Sequence, residues 1–279
     1  MKAVFIYFSW ACFFSWIVFG LLALNHHHLI FLFTDDAAHA RLTDFYHAFG
    51  GLGPTLGAII ICFVLWAKNG RRKLTRQLAI RKMNTKAWFF ALSPFVYLLL
   101  ALPIDYLISN KWFSWNEYRI INQLNDPVNL FYWLMPSFFY GMFEEPGWRG
   151  FLLPWLQKRF SAMNATIILT LFWFCWHIPS FFYRYDLSVP MIVGFLIGLF
   201  AGAVVLTFLY NYTKGSLLAV IIWHLTWDIV SIAGKDGNLS AIMSTIIMVI
   251  AVVILIVYKW RNLSPFSPTT ISDSILPGY

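Results

Sequence analysis

The sequence predicts an all-α protein, a polytopic bundle of transmembrane helices with about eight spans. Of its 279 residues, 60% are hydrophobic and only 11% are charged, whereas soluble globular domains carry about 25% charged residues. Apolar runs of about 20 residues, enough to cross about 30 Å of hydrocarbon, follow one another along the whole chain. These observations indicate a protein built for lipid, with no segment left for a separate soluble domain.

The apolar runs, taken in order, define the spans. Short polar breaks separate them, and the fourth run is long and contains Pro136, Pro146 and Gly147, so we expect that span to be broken. The predicted spans are Phe5–Leu24, Phe45–Ala67, Trp88–Ile108, Leu130–Leu156, Ala165–Phe182, Val189–Tyr210, Ser216–Ile232 and Leu239–Tyr258.

The pattern divides the chain into three parts. Residues 1–127 hold the N-terminal spans and a basic loop, residues 128–260 form a helical core with the candidate site, and residues 261–279 form a tail. The tail has prolines, serines and threonines without an apolar period, so we expect it to be irregular. The polar segment Ser114–Asp126 is either an interfacial helix or a plain loop.

The net charge of +8 is concentrated in one break between spans. By the positive-inside rule, this break is predicted to be a cytoplasmic loop, and both termini are predicted to be cytoplasmic. Aromatic or groove-reading residues are not interleaved there, so the cations do not indicate a nucleic-acid partner. The lipid bilayer is the expected partner. The cations of the break are Lys68, Arg71, Arg72, Lys73, Arg76, Arg81, Lys82 and Lys86.

Three glycines, Gly194, Gly198 and Gly202, recur at four-residue spacing in the sixth span. This spacing brings them onto one helical face, where a neighbouring backbone can approach closely. We therefore expect a helix-packing face, and a track for substrate is the alternative.

The fourth span carries two adjacent carboxylates and an arginine in an otherwise aromatic and aliphatic run. Charged side chains are costly inside a membrane, so they are candidate functional residues. Glu145 and Arg149 lie four residues apart on one helical face and are predicted to pair as structural support. Glu144 points elsewhere and is the candidate general base. The alternative is that both glutamates anchor a loop, because Pro146 and Gly147 can end the helix.

Two histidines and an aspartate in other spans complete this polar set. His177 lies in an aromatic stretch of the fifth span, where a satisfied core histidine is the alternative interpretation. His224 and Asp228 lie four residues apart on one face of the seventh span, where a local His–Asp pair is the alternative. Two histidines and three carboxylates in three separate spans favour a catalytic site over packing.

Three motifs resemble those of the type II CAAX prenyl endopeptidases and their bacterial relatives, the CPBP or Abi intramembrane proteases. The resemblance covers roughly Leu130 to Val230 and implies an all-helical membrane protease. The motifs are Glu144-Glu145-Pro146-Gly147-Trp148-Arg149-Gly150, then Trp173-x-x-x-His177, then His224-x-x-x-Asp228.

The resemblance also implies a role for each residue. Glu144 would activate water with the help of His177. His224 and Asp228 would stabilise the oxyanion that forms on the substrate carbonyl. The neighbouring glutamate and arginine of the first motif would be the structural pair, in agreement with their spacing.

Two positions depart from the family pattern. Trp173 stands where phenylalanine is usual, and we expect this change to affect packing only. Asp228 stands where asparagine is common, and an ionised aspartate accepts hydrogen bonds but cannot donate them to an oxyanion. The alternative is a divalent metal such as zinc at Glu144, His177, His224 and Asp228, with one position open for water. The spacing is not that of the short His-Glu-x-x-His zinc motif.

The sequence therefore predicts an intramembrane endopeptidase that cleaves a peptide bond with water activated by glutamate and histidine, with or without a metal. Its expected substrate is a membrane-associated or prenylated peptide or protein. The alternative is a transporter or a bacteriocin-immunity-type protein that uses the same polar set without proteolysis. Transporters often contain two similar halves, and this sequence shows no internal repeat.

Overall fold

The computed structural model describes residues 2–33, 40–79, 83–185, 187–232 and 238–275, and the regular structure within these ranges is helical. The predicted all-α fold is confirmed. A π-helical turn at Trp148–Leu152 joins the seventh helix to the eighth, and a 3-10 segment at Ile178–Phe182 follows the ninth. The helices are α1 (Lys2–His26), α2 (Ala40–Gly50), α3 (Leu52–Gln77), α4 (Thr85–Ala91), α5 (Ser93–Ser109), α6 (Trp115–Ile121), α7 (Pro127–Gly147), α8 (Leu153–Gln157), α9 (Ala162–His177), α10 (Val189–Tyr212), α11 (Leu217–Ile232), α12 (Asn238–Asn262) and α13 (Pro268–Ile275).

Each predicted span coincides with helical structure, in rough agreement with the expected number of spans. Within the described residues, five helical segments are long and apolar enough to cross a membrane, and α4 with α5, bent by 48°, makes a sixth. The fourth predicted span, which corresponds to α7 and α8, is less apolar than these segments because it carries Glu144 and Glu145. The seventh, α11, is apolar but has only 16 residues. The chain is a polytopic membrane bundle in which these two helices carry most of the polar site.

Large apolar side chains cover the outside of the bundle. Phe5, Val64, Leu99, Val249 and Ile256 are all more than half exposed. This surface would be unfavourable in water and is the one expected of helices that face lipid.

The basic segment after the second span is partly helical, so the predicted loop is wrong there. Helix α3 continues beyond the expected end at Ala67 as far as Gln77. Lysine and arginine favour helix, and an apolar pattern cannot reveal where a helix continues beyond the membrane. Arg81 and Lys82 lie outside the described residues. The cytoplasmic location of the termini stays a prediction.

Two other polar segments also form helices. In the segment expected to be an interfacial helix or a loop, α6 is capped by Ser114, whose hydroxyl accepts a hydrogen bond from the Glu117 backbone N–H. In the tail, residues 261–279, α13 shows that the chain is not irregular throughout. Ile271 and Ser272 of α13 are buried, and this helix packs against α8. One buried turn is too short to produce a visible apolar period.

Close helix packing around the site depends on glycines of α3 and α7. A Cβ atom at Gly53 would lie 2.3 Å from the Ala11 carbonyl oxygen of α1, and one at Gly147 would lie 2.5 Å from backbone atoms of Pro54. Only glycine allows these approaches, so α1, α3 and α7 pack at backbone contact. This packing fixes α7 where it carries the glutamates.

The three glycines of α10 do not form the packing face that we predicted. A Cβ atom at Gly194, Gly198 or Gly202 would meet no described atom within 4 Å. Helix α10 instead packs through other faces, and its second half, from Ala201 to Asn211, is mostly buried. Four-residue spacing brings glycines together on a helix, but it does not determine whether a neighbour lies there.

The break in the fourth span has a chemical cause. Pro154 has no N–H group, so the Gly150 carbonyl cannot receive the hydrogen bond that a continuous α-helix would supply. The side-chain amide of Gln77 donates to that oxygen at 3.3 Å, and its own oxygen accepts from the Tyr210 hydroxyl at 2.8 Å. A buried amide from α3 thus stabilises the π-helical turn that carries Arg149.

Candidate active site

Glu144 lies near the end of α7 and is only 3% exposed. Its Oε2 atom accepts hydrogen bonds from the indole N–H groups of Trp173, at 2.8 Å, and Trp148, at 3.3 Å. Both donors are uncharged, and no cation among the described residues pairs with this carboxylate. Glu144 is therefore a buried carboxylate positioned by neutral donors.

Glu145 is fully buried and is bonded to an arginine and a histidine. Its Oε1 atom accepts from Arg149 at 2.8 Å and from Nδ1 of His224 at 2.7 Å. The pair expected from the four-residue spacing is present, and His224 is an additional partner that the sequence did not predict. Hydrogen bonds with ionised partners are the stronger ones, so this contact links α7, the π-helical turn and α11.

Trp173 of α9 lies between the other members of the set. In addition to its bond with Glu144, its ring stacks against the guanidinium carbon of Arg149 at 4.3 Å. Its ring centroid lies 6.0 Å from that of His177 and 5.9 Å from that of His224. The expectation that tryptophan here affects packing only is wrong, because an indole has an N–H donor that phenylalanine lacks.

His177 is the last residue of α9. Its Nδ1 lies 2.8 Å from the Trp173 carbonyl oxygen, and because a carbonyl can only accept, this nitrogen is the donor. In the neutral ring Nε2 is then the acceptor. The ring is packed edge-on against Trp176 and Phe195, with centroids 4.6 and 5.1 Å away. The described contacts contain no direct hydrogen bond between His177 and Glu144, although both contact Trp173.

Asp228 is the most open member of the set, with 17% of its side chain exposed. Its Oδ2 lies 3.6 Å from Nε2 of His224, longer than a hydrogen bond. That oxygen has no hydrogen-bond partner among the described groups. The structure therefore brings His224 and Asp228 side by side without bonding them, and His224 is held by Glu145 instead.

The four residues proposed as metal ligands do not converge as a metal centre. Within the described part of the chain, no group of three or more His, Cys, Asp or Glu side chains is placed to hold a metal ion. One ring nitrogen of His177 is bonded to a backbone carbonyl and one of His224 to Glu145, so each ring has a single nitrogen left.

A second polar cluster, absent from our sequence prediction, lies next to this set. Arg184 contacts Asp44 of α2 at 3.1 Å and donates to the Tyr140 hydroxyl of α7 at 2.8 Å. His47 of α2 is hydrogen-bonded to the Tyr183 hydroxyl. These contacts connect the chain after the 3-10 segment to α2 and α7, one turn from the site glutamate. His47 lies inside a predicted span, so the rule for intramembrane ionisable residues could have identified it.

Comparison with known proteins agrees with the motifs. The family model described as "Type II CAAX prenyl endopeptidase Rce1-like" matches residues 126–230, which is under half of the chain. A relative named CAAX prenyl protease 2, from Methanococcus maripaludis, is 27% identical over 186 residues. That alignment covers 61% of this chain and 66% of the relative, slightly less than two thirds of its length. The segment matched by the family model, residues 126–230, contains all the residues of the three motifs.

Proposed function

We propose that this chain, whose residues 126–230 match the Rce1-like type II CAAX prenyl endopeptidase family, is an intramembrane endopeptidase that uses Glu144 to activate water. The substrate we propose is a membrane-associated peptide, and a prenylated C-terminal tail is the form that the relative's name indicates.

The difference between the two glutamates carries this proposal. Glu145 accepts hydrogen bonds from Arg149 and His224, whereas Glu144 accepts only from indole N–H groups in the described structure. A carboxylate that is positioned but not neutralised by a cation is suited to accept a proton during catalysis.

In the proposed reaction, Glu144 accepts a proton from a water molecule while the water oxygen attacks the carbonyl carbon of the peptide bond. His177 orients the same water through Nε2, the nitrogen that its bond to Trp173 leaves as an acceptor. The tetrahedral species then breaks its C–N bond, and the proton held by Glu144 passes to the leaving nitrogen. The products are a new carboxyl terminus and a free amine.

His224 stabilises the negative charge that develops on the carbonyl oxygen. Glu145 accepts from Nδ1 of His224 and so holds the ring with Nε2 directed toward Asp228. The protonated ring donates to the oxyanion through Nε2. Asp228 can add a second donor only when it carries a proton.

The direct test is peptide cleavage by the purified protein in lipid nanodiscs. We expect a farnesylated peptide with a C-terminal CAAX sequence to be cleaved by the wild type and not by Glu144→Ala. Glu117→Ala, which removes an exposed carboxylate of α6, is the matched control and should retain full activity. If Glu144→Ala cleaves at the wild-type rate, the proposal is wrong.

The substrate class needs a separate measurement. The same peptide without its prenyl group tests whether the lipid is required for cleavage. A comparison of protein termini in cells that carry the wild type or Glu144→Ala would identify the natural target. New termini that depend on Glu144 but come from proteins without a prenyl group would assign a different membrane peptide as substrate.

A divalent metal is the alternative source of activated water and has its own test. We expect the protein to remain active after treatment with a chelator, with metal content measured by mass spectrometry. Loss of activity that stoichiometric zinc restores would favour the metal mechanism over the one proposed here.

A further inference from the structure

A polar cavity of about 220 Å³ lies beside the ends of α8 and α12. Three parts of the chain form it: the end of α8 with the turn into α9, the end of α12, and the start of α13. It is far larger than the volume of one water molecule, about 30 Å³. The residues that line it are Gln157, Lys158, Arg159, Phe160, Ser161, Arg261, Asn262, Ser267, Pro268 and Thr269.

The lining of this cavity is cationic. Lys158, Arg159 and Arg261 all contribute to it, and none of the lining residues is acidic. Lys158 also lies 3.9 Å from the carboxylate of Asp273, which is 65% exposed. The start of α9, capped by Ser161, adds the partial positive charge of a helix N-terminus. The cavity therefore favours an anion.

A buried amide in the lining also lacks a hydrogen-bond partner in the described structure. Gln157 is fully buried, and neither its side-chain nitrogen nor its oxygen has a hydrogen-bond partner among the described groups. A buried polar group without a partner costs free energy, so native proteins rarely retain one without a function. Its N–H groups, together with the hydroxyl groups of Ser267 and Thr269, are donors of the kind that phosphate oxygens accept.

The surroundings of this cavity have the composition expected at the level of the lipid headgroups. Phe160 lines it, and Trp260, next to Arg261, is half exposed and donates to Asn164 of α9 at 2.9 Å. Exposed aromatic residues beside lysine and arginine are typical of the membrane–water interface. Basic pockets between transmembrane helices bind anionic lipid headgroups.

We propose that this cavity is a phosphate-binding site and that its ligand is the headgroup phosphate of an anionic phospholipid. Arg159 and Arg261 neutralise the phosphate, and Gln157 donates to one of its oxygens. A bound lipid would connect α8, α9, α12 and α13 at one point. None of the proposed catalytic residues lines this cavity, so the site does not depend on the proposed proteolysis.

The test measures lipid binding by native mass spectrometry of the purified protein, with phosphatidylglycerol and phosphatidylcholine offered at equal concentration. We expect the wild type to retain phosphatidylglycerol at least tenfold more than phosphatidylcholine. The double variant Arg159→Gln/Arg261→Gln should lose this preference. Arg76→Gln, which removes an exposed cation of α3 outside the cavity, should keep it.

Gln157→Leu separates binding from folding. Leucine removes the amide without adding a buried polar group, so the unfolding temperature without ligand should stay the same or rise. Phosphatidylglycerol retention should fall severalfold in the same variant. A purely structural role for Gln157 predicts the opposite, namely a lower unfolding temperature with unchanged lipid retention.

Titration with inorganic phosphate distinguishes the two sources of the ligand. If phosphate raises the unfolding temperature of the wild type and competes with phosphatidylglycerol, both parts of the proposal hold. If phosphate binds at the arginines and the lipid does not, the ligand is a soluble anion and the lipid part is overturned. If the double variant binds both probes as the wild type does, the site itself is overturned.

Discussion

Glu144 and Glu145 are neighbours on one helix, yet they have opposite surroundings. The Glu144 side of α7 contains the indole groups of Trp148 and Trp173, and the Glu145 side contains Arg149 and His224. Successive residues of a helix point about 100° apart, so each carboxylate contacts a different set of helices. We therefore attribute the different roles proposed for the two glutamates to their partners and not to the residue type.

The largest effect on activity is expected from Glu144→Gln. The amide oxygen can still accept from both indole groups, so the fold should keep its stability to within about 1 kcal/mol. The amide cannot accept the proton from water, so we expect kcat to fall by about 10³-fold. Peptide cleavage and thermal unfolding, measured on the same preparation, test both parts. Unfolding of Glu144→Gln at a much lower temperature would assign Glu144 a structural role instead.

Glu145→Gln should have the opposite pattern, with the main effect on stability. It leaves the buried guanidinium of Arg149 without its carboxylate, and breaking a buried ion pair costs about 3–5 kcal/mol. We expect a large fall in the unfolding temperature of the purified protein. The double variant Glu145→Gln/Arg149→Met removes the uncompensated cation and should recover much of the stability. It should not recover activity, because His224 still lacks the carboxylate that holds its ring.

Trp173→Phe tests how strongly catalysis by Glu144 depends on its neutral hydrogen-bond donor. Phenylalanine keeps a ring against Arg149 but removes the N–H bond to Glu144, and a hydrogen bond to a charged group contributes about 1.5–3 kcal/mol. We expect kcat to fall by about tenfold or more with little change in KM, as for a positioning residue.

Trp176→Phe is the matched control for Trp173→Phe. It removes an indole N–H on the same helix that donates to Ser15, at 2.6 Å, and not to Glu144. Equal losses of kcat in the two variants would mean that the bond from Trp173 to Glu144 has no special role.

The parts of the site that could be predicted are the local ones. Glu145 and Arg149 are four residues apart on one helix, so their spacing was enough to predict the pair. The bond between Glu145 and His224 joins residues 79 positions apart. It depends on the close packing of α7 on α11, where a Cβ atom at Gly141 would lie 2.8 Å from the Ile221 carbonyl oxygen. No pattern in a single sequence reveals which glycine permits such an approach.

The same distinction applies to the fold. Apolar length and composition predicted the membrane helices, because the thickness of the hydrocarbon sets both. The helical extension of α3 and the helix α13 were missed because polar helices carry no apolar run. The opposite error occurred at Gly194, Gly198 and Gly202. Their spacing usually indicates helix packing, but no described atom lies within 4 Å of a Cβ placed at these positions.

The smallest effect is expected from Asp228→Asn. This variant tests the proposed stabilisation of the oxyanion by residue 228. Asp228 contacts His224 without a hydrogen bond, and its Oδ2 has no hydrogen-bond partner among the described groups. An ionised carboxylate there repels a developing oxyanion, whereas an amide of the same shape can donate to it. We therefore expect kcat to rise severalfold, with an unfolding temperature close to that of the wild type. If Asp228→Asn instead loses activity as Glu144→Gln does, the carboxylate of Asp228 itself takes part in the reaction, and proton transfer is shared between the two acids.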